Sequence, residues 1–172
     1  MEIRRFQGAD DVSGVIRAHG RAWHTAYAEL LPRRVLENVA VDPSPEDERR
    51  WLESLTPNPD GVFVASEDGD VVGFADVRWG DAEMKSFVGP DEAELKAIYV
   101  DPDHWGTGVG TALLERGLEA LPTAVSTIRL EMLAGNEVGR QFYEARGFER
   151  TERNEIELGG EAYETDVFSK RL

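Results

Sequence analysis

Three glycines at alternate positions, Gly106, Gly108 and Gly110, separate a strand-like segment, "ELKAIYV", from a segment with helical spacing. Glycine loses more backbone freedom on folding than any other residue, so such a cluster needs a reason. A tight strand-to-helix turn asks for one glycine. Three allow the main chain to come very close to something else. The start of a helix supplies the attraction, because its first N–H groups lack intrahelical partners and carry a partial positive charge. Phosphates settle at such a place, held by bare backbone. The stretch predicts a β-loop-α unit whose loop, Gly106, Thr107, Gly108, Val109, Gly110 and Thr111, cradles a phosphate.

Two familiar loops fit poorly. No lysine follows the glycines, as G-x-x-x-x-G-K-[ST] requires. The dinucleotide fingerprint G-x-G-x-x-G would need glycine where Thr111 stands, and it normally opens its domain. Glu131 lies at a workable distance for a ribose contact, but inside a strand pattern rather than at its tip. A Rossmann domain is the weaker choice.

The rest of the chain alternates strands and helices. "MEIRRF" reads as a strand, residues 9–31 as a helix ending at Pro32, and residues 33–55 as a second helical stretch broken near "DPSP". "GVFVASEDGDVVGFADVRW" is a hairpin turning at Asp68-Gly69-Asp70. After it come a polar loop, the strand "ELKAIYV", the glycine loop and a helix over 109–121. "STIRLEM" is an alternating strand with Ile128, Leu130 and Met132 on one face, and Asn136 caps a short helix ending at Gly147. The remainder forms two strands around Gly159-Gly160. The prediction is one α/β domain over 1–172, a mixed central sheet of six to seven strands flanked by about four helices.

Composition narrows the function. Nineteen basic against 34 acidic residues leave 19 − 34 = −15, which opposes binding to nucleic acid or anionic membranes. Sixteen of the cations are Arg and only Lys85, Lys96 and Lys170 are Lys. Dispersed acid with scarce lysine is the composition expected of a protein from a high-salt cytoplasm, as in haloarchaea. No apolar run approaches the roughly 20 residues of a bilayer span. "MEIRRFQGADD" has neither an apolar core nor a cleavage signature, so no secretory leader is expected and the location is cytoplasmic. The absence of cysteine excludes thiolate catalysis, and His19, His24 and His104 have no metal-like spacing, so no metal is expected.

The stretches "AELKAIYVDPDHWGTGVGTALLERG" and "NEVGRQFYEARGFER" resemble the GNAT N-acetyltransferase superfamily in order and spacing. Trp105-Gly106-Thr107-Gly108-Val109-Gly110 resembles its pyrophosphate motif [QR]-x-x-G-x-[GA], with Trp105 in place of Gln or Arg. Asn136, Phe142, Tyr143, Gly147 and Phe148 match its N-x-x-x-x-x-[FL]-Y-x-x-x-G-F element. The resemblance implies acetyl-CoA as cosubstrate and a small-molecule or protein amine as acceptor. It assigns the pantetheine arm to backbone along Ile98, Tyr99 and Val100, the pyrophosphate to Gly106 through Thr111, and the thiol end to Asn136. It makes Tyr143 the acid that protonates the departing thiolate.

The chemistry asks for these types too. An amine can attack a thioester directly, so no cysteine or G-x-S-x-G nucleophile is needed. A phenol of pKa about 10 can protonate a thiolate whose parent pKa is about 8.5. The amine must first lose its proton. The base is either Glu94, where some relatives carry a basic glutamate, or an ordered water; strand alternation would put Glu94, Lys96 and Ile98 on one face. The resemblance implies an acceptor pocket walled by the first helices and the last hairpin, which offers Trp23, Tyr27 and Trp79 as acceptor-side aromatics. Trp23 and Tyr27, four apart on one helix face, equally suit the core. A CoA-binding sensor without turnover is the alternative class, and an exposed edge strand would let two copies pair as a homodimer.

Overall fold

The computed structural model describes residues 1–172. In chain order it forms β1 (Glu2–Arg5), α1 (Val12–Ala26), α2 (Arg33–Leu36), α3 (Pro45–Leu55), β2 (Val62–Glu67), β3 (Asp70–Arg78) and β4 (Glu92–Val100). There follow α4 (Val109–Ala120), β5 (Thr127–Leu133), α5 (Glu137–Glu144), β6 (Glu149–Leu158) and β7 (Glu161–Arg171). The strands make one seven-stranded sheet in the order β1-β2-β3-β4-β5-β7-β6. All neighbours are antiparallel except β4 and β5, which the crossover helix α4 makes parallel. This is the mixed α/β sheet anticipated from sequence, with the single turn α2 as a fifth helix. No helix is long and apolar enough to cross a membrane.

Local chemistry explains several boundaries. Ser44 accepts from the Asp47 N–H while the Asp47 carboxylate accepts from the Ser44 N–H, and Pro45 fills the first helical position, so α3 starts there. Asp68 and Gly69 have φ of 52° and 85°, which suits a two-residue hairpin turn between β2 and β3. The first helix, in contrast, ends at Ala26 rather than running to Pro32. Tyr27 leaves helical geometry, and its carbonyl accepts from both Leu30 and Leu31. The turn lets Tyr27, Leu31, Val35 and Leu36 pack on Leu133, whereas a straight helix would carry the leucines off the sheet.

Helices α4 and α5 cover one face of the sheet, burying Val77, Leu95, Leu114, Ile128, Leu130 and Phe168. On the other face α1 and α3 cover Val62, Val64 and Phe74. Two irregularities in the middle of the sheet position the site. Strands β4 and β5 pair only at Glu92/Thr127, Ala93/Ile128 and Glu94/Arg129, although β4 continues to Val100 and β5 to Leu133. The two strands therefore splay into a wedge. Just there, β4 bulges: Leu95 lies opposite Val77 and Ala97 opposite Asp76, leaving Lys96 as an extra residue.

The bulge overturns the strand-face expectation for Glu94, Lys96 and Ile98. Leu95 and Ile98 both pack towards α4, while Ala97 and Tyr99 pack towards α1 and α3. An inserted residue reverses the alternation, so Glu94 and Ile98 point to opposite faces.

Candidate active site

The wedge holds a cavity of about 280 Å³, bounded by the free edge of β4, the glycine loop, β5, the start of α5 and Tyr27. At its loop end, the N–H groups from Gly106 to Thr111 donate to no group in the chain; the first helical bond of α4 is Ala112 N–H to the Gly108 carbonyl. Six consecutive free amides at a helix start form a nest for an anion. Gly108, at φ 93°, turns the chain into the helix, a conformation that costs a residue with a Cβ about 1–2 kcal/mol. The loop is braced rather than loose. The Trp105 indole N–H donates to the Val100 carbonyl at 2.8 Å, and the Thr107 hydroxyl donates to the His104 carbonyl at 2.6 Å. Arg146 stacks on the Phe142 ring at 3.8 Å and donates to the Thr111 hydroxyl at 2.5 Å, locking α5 to the first turn of α4.

The opposite end of the cavity is phenolic. The Asn136 side chain accepts from the Gly139 N–H at 3.0 Å, capping α5, and its amide donates to the Tyr27 hydroxyl at 3.3 Å. Tyr143 projects from α5 with its ring edge-on to Phe142 and Phe148, and its hydroxyl is committed to no other group in the chain. Burial, and then the neighbouring Tyr99 phenol, push the Tyr143 pKa above the ordinary phenol value. Burial does the same to Tyr27 and Tyr99. All three phenols stay protonated and available as donors at neutral pH.

Of the residues singled out in the sequence, the cavity brings together Tyr27, Ile98, Tyr99, Val100, Gly106, Gly108, Val109, Gly110, Thr111, Asn136 and Tyr143. Thr107 lies in the loop but turns its side chain back to His104. Three residues lie elsewhere. Trp79 packs on the core beneath α4 and α5. Trp23 stands edge-on to Tyr27 at 4.8 Å but lines a second cavity under α1 and α3. Glu94 lines neither cavity; buried, it accepts from the Lys85 N–H at 3.0 Å, because the bulge turns it away from Ile98. Desolvation raises its pKa, with the Lys85 N–H opposing that shift.

Sequence reading weighed Glu131 only as a ribose contact and did not place it in the site. It lines the wedge with its carboxylate shared between Lys85 Nζ at 2.5 Å and the Thr165 hydroxyl at 2.6 Å. Its signal was available: it precedes Asn136 by five residues on a cleanly alternating strand. What the sequence lacked was the splay that opens that strand to the cavity. No cluster of three or more His, Asp or Glu side chains is arranged to hold a metal ion.

The profile of the acetyltransferase (GNAT) family matches residues 15–148. An uncharacterized N-acetyltransferase of Archaeoglobus fulgidus is 31% identical over 157 residues, covering 88% of this chain and 95% of that protein. A mycothiol acetyltransferase of Amycolatopsis mediterranei is 30% identical over 155 residues, 88% of this chain but 47% of the relative, so the chain spans about half the length of that protein. Among solved structures, the PaiA N-acetyltransferase of Thermoplasma acidophilum in complex with coenzyme A superposes with a TM-score of 0.74. That match has 19% identity and covers 99% of this chain and 98% of the other.

Proposed function

This chain belongs to the acetyltransferase (GNAT) family, and on that premise we propose that it passes the acetyl group of acetyl-CoA directly to an amine, with no covalent enzyme intermediate. The observation that carries this reading is the run of six unpartnered amides from Gly106 to Thr111 beside an unpaired strand edge. The amides suit a diphosphate. The edge of β4 from Leu95 to Val100 suits an amide-bearing arm such as pantetheine, which would lie along it like a further strand. The relative solved with coenzyme A supports the choice of ligand.

The steps balance without another reagent. The neutral amine nitrogen forms a bond to the thioester carbon, and the carbonyl π pair moves to oxygen, where a β4 backbone N–H stabilises the oxyanion. When the oxyanion collapses, the C–S bond breaks and sulfur leaves with the electron pair. Tyr143 donates its proton to that sulfur. The amine's proton goes to Glu131, directly or through water, and from there restores the phenol. Glu131 is the carboxylate that lines the wedge, which favours it over Glu94.

Acetyl-CoA at a hundredfold above its Kd should stabilise the protein by about 2.7 kcal/mol, several degrees in Tm, while NAD gives none. Equal shifts would overturn the reading. Tyr143→Phe should keep acetyl-CoA affinity and lower kcat about a hundredfold or more. Binding without transfer to any amine would leave a CoA-binding module instead. The acid excess and lysine scarcity support a place in a high-salt cytoplasm, and the outer edge of β6 offers a surface for a second copy.

A further inference from the structure

The second cavity, about 500 Å³, lies beneath α1 and α3 and shares Lys96, Ala97 and Tyr99 with the wedge. Rings form part of its wall, beside Val39, Ala40 and Leu55 and the polar Asn38 and Ser54. His19 stands edge-on to Trp51 at 4.8 Å and to Tyr99 at 4.9 Å, and Trp51 stands edge-on to Phe74 at 5.9 Å. Burial among these rings holds the His19 pKa down to about 4, so it contributes no charge at neutral pH. The remaining charges cancel, apart from one. Arg50 is paired with Asp47 at 2.7 Å, and Asp76 with the buried Arg78 at 3.0 Å. Across the wedge, Glu131 is paired with Lys85. Lys96 makes no direct ion pair; the carboxylate nearest it in sequence, Glu94, is buried, accepts from the Lys85 N–H and feels the Lys96 charge only beyond contact distance. Lys96 is not placed for the cofactor's phosphates, since four residues of strand, about 13 Å, separate it from the end of β4. The bulge puts it where the two cavities meet.

Resting on the acetyl-transfer reading, we propose that the acceptor is a free amino acid with a large apolar or aromatic side chain. The side chain fills the second cavity, the carboxylate pairs with Lys96, and the α-amino group faces the thioester. The transfer is the one already written: the amino nitrogen gains the acetyl carbon, sulfur leaves with its electron pair, and the amino proton passes to Glu131.

The test compares phenylalanine, phenylalaninamide and phenethylamine as acceptors, with calorimetry of N-acetylphenylalanine and its amide on the CoA-loaded protein as a readout independent of turnover. A charge-assisted contact should favour phenylalanine over phenethylamine in kcat/KM by about tenfold or more, and N-acetylphenylalanine over its amide by a similar factor in Kd. Lys96→Met should bring both ratios towards one, and Lys96→Arg should restore part of each. Equal ratios in the wild-type protein would overturn the proposal while leaving acetyl transfer standing. Failure to bind acetyl-CoA at all would instead remove the reading beneath it.

Discussion

Glu94 and Glu131 are both buried carboxylates on central strands, yet their surroundings give them different work. Glu94 is buried with one backbone donor, and desolvation raises its pKa above the unfolded value, outweighing the Lys85 N–H and the charges of Lys96, Lys85 and Arg78. A raised pKa means that the neutral form is favoured in the fold. Its contribution is complete below the unfolded carboxyl range and is lost as pH climbs through the folded pKa. Glu94→Gln should therefore raise Tm at pH 7, with the gain shrinking as pH falls towards 4; a gain that grew on acidification would refute the assignment. Glu131 keeps Lys85 and Thr165 as partners and faces the cavity. Glu131→Gln should lower kcat by about a hundredfold, whereas Glu94→Gln should leave kcat close to wild type. The reverse pattern would return the base to Glu94. Tyr143, Asn136 and the glycines were legible because each belongs to a short motif read along one stretch of chain. The orientation of Glu94 was not, because alternation is a local rule and the bulge shows only in the pairing of β4 with β3.

At the level of elements, the loop's grip depends on its brace. The Trp105 indole hydrogen bond to the end of β4 holds the six amides at a set distance from the strand edge. Its loss removes about 1 kcal/mol of preorganisation, so Trp105→Ala should weaken acetyl-CoA binding about fivefold by calorimetry. The α3 cap makes a contrast: Ser44→Ala should cost about 1 kcal/mol, a fall of about 2–4 °C in Tm, with acetyl-CoA affinity unchanged. The break ahead of α3 was legible at "DPSP", although the cap at Ser44 was not read from it. The end of α1 was not legible, since Pro32 marks where a helix must stop, not where tertiary packing stops it. Trp105 read only as a departure from a motif; its brace needs the Val100 carbonyl, five residues away, to be seen in space.

For the whole molecule, a net charge of −15 repels itself. Arginines offset some of it locally, as where Arg49 bridges Glu46 and Glu53 or Arg140 bridges Glu137 and Glu144. Such exposed pairs are screened by solvent and contribute little, and the acid excess is left uncompensated. Raising potassium chloride from about 0.1 to about 1 M shortens the screening length from about 10 to about 3 Å, so Tm should rise by several degrees in a salt titration; a fall would mean that ion pairs dominate. The charge balance was plain from sequence, whereas the parting of β4 from β5 was not, because it depends on strands far apart in the chain. That parting has a last consequence. From Leu95 to Val100 the sheet is a seam left half closed, and whatever lies along it supplies the missing stitches. Deuterium uptake by these amides should slow when the seam is filled, reporting occupancy with neither label nor turnover.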